Sequence, residues 1–107
     1  MTEREKERRD GQGQTALKTR PKTKKPRLYK VVIHNDDYTT QEFVVEILQR
    51  FFHKTGEEAT RLMLDVHMKG RGIAGAYTFD VAETKVEATT RYARSKGHPL
   101  LLTLEPE

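Results

Sequence analysis

The chain has 107 residues, 35% of them hydrophobic and 34% charged, which is material for one small domain around one modest core. It has no cysteine, no apolar run of bilayer length and no leader-like apolar region behind Met1. Disulfides, thiolate metal sites, membrane spanning and export therefore lack support, and a cytoplasmic setting is expected.

Charge divides the chain in two. Residues 1–27 carry ten Lys/Arg against four Asp/Glu, net +6, whereas residues 28–107 carry ten against twelve, net −2. The first segment holds only Ala16 and Leu17 as apolar side chains beyond Met1, with Gly11, Gly13, Pro21 and Pro26. It reads as a disordered basic extension, a solubilising leader or a partner-contacting arm, followed by one folded domain over 28–107. Nucleic-acid binding would need basic residues clustered on the fold, so a small nucleic-acid-binding module using the basic tail stands only as the alternative.

From Leu28 the pattern has period two, which predicts a strand with Tyr29, Val31 and Ile33 inward and Lys30, Val32 and His34 outward. A polar hinge follows, His34-Asn35-Asp36-Asp37-Tyr38-Thr39-Thr40. Thr39 with Glu42 three positions on predicts a capping box at the start of a helix. Two adjacent carboxylates and an amide carbonyl make the hinge attractive to a cation, although Asn and Asp are also ordinary turn residues.

Phe43, Val44, Ile47, Leu48, Phe51 and Phe52 recur at helical spacing, predicting a first helix of about four turns that Gly56 stops. Glu57 and Glu58 suit the positive end of a second helix, with Ala59, Leu62, Met63 and Val66 on one face, His67 beside Met63, and Gly70 as its stop. Ile73, Gly75, Tyr77 and Phe79 predict a second strand ending at Asp80, with glycines that signal close backbone approach. A third helix is expected from about Ala82 to Ser95 with Ala82, Val86, Thr89 and Ala93 inward, then a last strand from Pro99 through Leu100, Leu102 and Leu104. Strand, helix, helix, strand, helix, strand in so short a chain implies an α+β domain, a three-stranded antiparallel sheet with three helices packed on one face.

Catalytic constellations are absent from this pattern. There is no cysteine, Ser95 is the only serine and no glycine-rich elbow surrounds it. Asp36, Asp37 and His67 have the residue types of a metal site but not a ligand spacing, so no metal or cofactor is expected. Gly70, Gly72 and Gly75 precede a strand rather than open a helix, unlike a dinucleotide loop.

Four segments together carry a resemblance: Asn35-Asp36-Asp37-Tyr38-Thr39, Leu62-Met63-Leu64 followed after one position by Val66-His67, Val81-Ala82-Glu83-Thr84-Lys85-Val86 and His98-Pro99-Leu100-Leu101. In order and spacing, over essentially all of residues 28–107, they resemble the ClpS family of Clp protease adaptors. The resemblance implies a non-enzymatic, monomeric adaptor. It would capture proteins with a bulky hydrophobic N-terminal residue, an N-degron, and deliver them to a ClpA-type AAA+ unfoldase for degradation by ClpP. By position it implies Asn35, Asp36 and His67 as ligands of the free α-ammonium, with Asp37 and Thr39 shaping the rim. Val44, Met63, Val66 and Leu100 would line a hydrophobic pocket, and Asp80, Glu83, Thr84 and Lys85 would dock the unfoldase.

Elementary chemistry agrees with that assignment, since an amide oxygen, a carboxylate and a neutral imidazole nitrogen supply the three acceptors an ammonium needs. Without the resemblance, His67 reads first as a packed helix histidine bonded to a neighbour, and Asp80, Glu83 and Lys85 as a solvated helix start. Thr40 and Gln41 depart from the family's usual Pro and Met. The Met position is the family's specificity gate, so Gln41 is expected to weaken binding of N-terminal Leu relative to Phe, Tyr and Trp.

Overall fold

The computed structural model describes residues 25–107. The expected disorder of residues 1–27 falls mostly outside these; Lys25, Pro26 and Arg27 are exposed and carry no regular structure. The elements are β1 (Leu28–His34), α1 (Gln41–Phe52), α2 (Gly56–Lys69), β2 (Arg71–Thr78), α3 (Phe79–Ser95) and β3 (Leu101–Pro106). β1 is central and antiparallel to β2 on one side and β3 on the other. The expected α+β architecture holds.

One core cluster joins Val31 and Ile33 of β1 to Leu100 and Leu102, to the apolar face of α1 and to Ala59 and Val66 of α2. Ala74, Ala82 and Ala93 are fully buried in it, and their small side chains let α3 lie close against the sheet. Thr89 is also fully buried, and its hydroxyl is satisfied by donating to the Lys85 carbonyl oxygen at 2.6 Å.

Helix boundaries differ from expectation where side chains competed for caps. Thr40, not Thr39, is the N-cap of α1, accepting from the Phe43 N–H at 3.1 Å. Thr39 is unavailable because its own N–H and hydroxyl are bound to Asp36. Gly56 does not stop α1, which ends at Phe52 with His53 left-handed at φ 56°. Gly56 is instead the first residue of α2, whose N-cap Thr55 forms a reciprocal capping box with Glu58.

The second strand also differs. Opposite β1 the register shifts between Val31 and Val32, so that Gly75 faces Val31, Ile73 faces Val32 and Ala74 is the extra residue of a bulge. The bulge reverses the alternation: Ala74 is buried, while Ile73 points outward and is exposed. Phe79 belongs to α3, which begins three residues earlier than Ala82, and its ring packs edge-on against Tyr29 with centroids 5.2 Å apart. Asp80 therefore lies in the first turn of a helix rather than at a strand end.

Val32 faces away from the core cluster yet is 0% exposed. Across this outer face Arg71 on β2 reaches Glu105 on β3, with Nη2 at 2.8 Å from both carboxylate oxygens. In register Arg71 stands opposite His34 and Glu105 opposite Lys30, so the pair crosses directly over Val32. His34 closes one end of the same face by its 2.7 Å hydrogen bond with the Thr103 hydroxyl.

Candidate functional site: an anionic loop over an apolar floor

The hinge between β1 and α1 is held at three points. Its first backbone N–H, of Asn35, donates to the Gly70 carbonyl oxygen at 2.9 Å, tying the loop to the C-terminal end of α2. Asp36 supplies the second: Oδ1 accepts from the Tyr38 N–H at 2.8 Å and the Thr39 N–H at 2.7 Å, and Oδ2 accepts from the Thr39 hydroxyl at 2.8 Å. Thr40 supplies the third as the helix cap. Burial acts to raise the Asp36 carboxyl. The Thr39 N–H and hydroxyl, the Tyr38 N–H and the charge of His98 outweigh it and hold the group below its ordinary value.

Beneath this loop, between α1 and α2, lies a cavity of about 380 Å³. Of the expected ligand-binding residues, Asn35, Asp36, Asp37, Thr39, Gln41, Val44, Met63, Val66 and His67 all border it. Leu100 does not; it is 1% exposed, inside the core cluster. Val44 and Val66 are buried and Met63 is half-buried, so the floor is apolar, whereas Asn35, Asp37, Gln41 and His67 are exposed at the mouth. His67 lies in the last turn of α2, whose C-terminal carbonyls add partial negative charge beside the same mouth. One end of the cavity favours a cation and the other an apolar group.

Two bordering residues were not expected there. Tyr38 is 78% exposed and also borders a second hollow with Arg94, Gly97, His98 and Pro99. Its place inside the hinge segment that carries the family resemblance was the signal available in the sequence. Thr40 borders the cavity because the cap residue is the hinge's last member. Among the described residues no group of three His, Cys, Asp or Glu side chains is placed to hold a metal ion.

A family model described as ATP-dependent Clp protease adaptor protein ClpS matches residues 24–103. The chain belongs to the ClpS family. A Rhodospirillum centenum protein named ATP-dependent Clp protease adapter protein ClpS is 56% identical over 91 residues, covering 85% of this chain and 84% of that one. A Deinococcus radiodurans protein of the same name is 53% identical over 96 residues, covering 90% and 85%. Among solved structures, Agrobacterium tumefaciens ClpS2 bound to L-phenylalaninamide superposes with a TM-score of 0.75 at 38% identity, covering 78% of this chain and all of that one. ClpS proteins are adaptors of the Clp protease.

The residues expected to dock an unfoldase lie at the start of α3, on a different part of the domain. Asp80, Thr84 and Lys85, with Val81, border a shallow hollow of about 330 Å³, and Glu83 is exposed on the same helix. Val81 and the neighbouring Phe79, which the sequence pattern had placed in the second strand, are each 45% exposed and form an apolar pair. Lys85 is not a free charge: Nζ donates to the Phe51 carbonyl oxygen at 2.8 Å and stands over the Tyr77 and Phe52 rings, 5.2 and 5.8 Å from their centroids. It closes the C-terminal end of α1 from α3. Among the described residues no helix is long and apolar enough to cross a membrane.

Proposed function

We propose that this adaptor binds the free N-terminus of a polypeptide whose first residue is bulky and hydrophobic, and hands it to a ClpA-type AAA+ unfoldase. The observation that carries this reading is the two-part cavity. Asn35, Asp37 and His67 offer acceptors at the mouth, and Val44, Met63 and Val66 offer apolar surface below. L-Phenylalaninamide, the ligand of the Agrobacterium relative, combines a free α-ammonium with a phenyl side chain, the two features these halves match.

The two carboxylates divide the work. Asp36 is committed to three hydrogen bonds within the loop, so it fixes the loop's shape and contributes charge at short range. Asp37 is exposed and borders the cavity, so it supplies the mobile acceptor for the ammonium, together with the Asn35 carbonyl oxygen and an unprotonated His67 nitrogen. Enclosing a Leu or Phe side chain contributes roughly 1.5–3 kcal/mol, too little for micromolar affinity unless the amine is also held. Selectivity for a chain terminus follows from needing both.

Gln41 at the rim favours Phe, Tyr and Trp over Leu, because an amide turned toward a small aliphatic group loses hydrogen bonds that an aromatic face partly restores. At the other site Val81 and Phe79, rimmed by Asp80, Glu83 and Thr84, provide the unfoldase contact, and Lys85 holds α3 in place to present it. Fluorescence anisotropy tests the binding reading: a peptide beginning with Phe binds and its N-acetylated form does not. Binding of RNA or DNA that weakens steeply with salt, with no terminus dependence, would instead support the nucleic-acid alternative.

A further inference from the structure

Gly72 does not border the amine cavity, yet it stands directly behind one of its walls. It lies on β2 opposite Ile33, and a β-carbon placed on it would be 2.9 Å from Val66 Cγ2, with the Leu62 carbonyl oxygen at 3.6 Å and the Val66 nitrogen at 3.7 Å. The two backbone distances are ordinary contact, whereas the methyl distance is not. The glycines with positive φ are Gly70 and Gly97, so backbone conformation does not require glycine at 72. What requires it is the Val66 methyl, which occupies the place of a side chain.

Val66 is 2% exposed and borders the cavity. On the sheet side it meets β2 and the close-packed core, so the free volume next to it is the cavity itself. An ordinary carbon–carbon separation is roughly 3.5–4.0 Å, so a methyl group at position 72 would drive Cγ2 toward the cavity by about 1 Å.

We propose that Gly72 is a specificity-determining residue of the peptide site: its missing side chain lets Val66 recede, and this sets the largest N-terminal side chain the cavity accepts. The inference rests on the peptide-binding reading above and adds a size limit to it. Because the displaced atom is a side-chain methyl, the acceptors at Asn35, Asp37 and His67 stay in place, and the effect grows with ligand volume rather than falling equally on all ligands.

The test titrates matched peptides beginning with Trp, Phe and Leu against wild type, Gly72→Ala, Val66→Ala and the double variant. Gly72→Ala is expected to lose roughly tenfold for Trp and less than about threefold for Leu, the scale of one methyl in a pocket. The double variant recovers Trp, because the clashing methyl is gone. Val66→Ala alone shifts preference toward Trp over Leu, a readout that does not depend on how well Gly72→Ala folds. An equal change for all three peptides, a Trp loss that the double variant does not recover, or no shift in Val66→Ala overturns the proposal while leaving the binding reading intact. Wild type that binds acetylated and free Phe peptides alike overturns the binding reading and this inference with it.

Discussion

Asp36 grips Thr39 twice, taking its backbone N–H on Oδ1 at 2.7 Å and its hydroxyl on Oδ2 at 2.8 Å. The carboxylate that looks most like a ligand is thus also the frame of the loop that presents the others. Asp36→Ala is expected to cost about 2–4 kcal/mol of peptide binding, because the loop loses its shape and a partly desolvated ammonium loses nearby charge. Asp37→Asn is expected to weaken binding by about 1–3 kcal/mol without changing the melting temperature. Paired calorimetric titrations and thermal melts of the two variants check the division; equal melting temperatures for both would assign Asp36 no framing role.

Acid tests two lowered carboxylates. Asp36 is held below its ordinary value, so its stabilising bonds are fully present above the unfolded carboxylate range, near ~3.9, and are lost only as pH falls through the lower folded value. Glu105 is lowered by its hydrogen bond to Arg71 and follows the same sign. Between pH 7.5 and 5.5 the fold should therefore keep its melting temperature, with loss of stability confined to acid below the ordinary carboxylate range. Thermal melts across this range check it; a melting temperature that falls steadily from pH 7.5 to 5.5 would show that other groups govern acid stability.

Lys85 spans from α3 to the Phe51 carbonyl and two aromatic rings, so its truncation should act on stability before docking. Lys85→Ala is expected to destabilise the domain by about 1–2 kcal/mol in urea unfolding, the scale of a charged hydrogen bond at a helix end. Val81→Asp, by contrast, should abolish unfoldase binding in a pull-down and leave the unfolding midpoint nearly unchanged.

On the outer sheet face, Val32 is fully buried between its register partners Ile73 and Thr103, on the face that the Arg71–Glu105 pair spans. Val32→Ala should cost about 1–3 kcal/mol, as for a buried valine, although the alternation places it on the solvent side. Glu105→Gln should lower the melting temperature and remove much of its salt dependence.

Gln41 stands at the mouth of the cavity and is exposed. Peptides differing only in their first residue should bind more weakly with Leu than with Phe, and Gln41→Met should improve Leu by ~1 kcal/mol, the scale of one apolar contact. Equal Leu and Phe affinities in wild type would end that expectation.

Periodicity alone determined the order of six elements and the inward faces of all three helices, because burial on one side of a helix or strand imposes a local repeat of 3.6 or 2 that survives in the chain. The hinge residues, with Val44, Met63, Val66 and His67, were legible through the resemblance to the ClpS family, and the fold brings them to one cavity. What only the tertiary structure decided were contacts between residues far apart in sequence. The cap passed from Thr39 to Thr40 because Asp36 claimed Thr39 first. The β2 bulge at Ala74 reversed which side chains face inward, a register choice made by β1. Val32 is buried on the sheet face that the Arg71–Glu105 pair spans, and Lys85 is turned inward by a carbonyl at residue 51. None of these has a local period, because each depends on which distant groups folding brings within hydrogen-bond range.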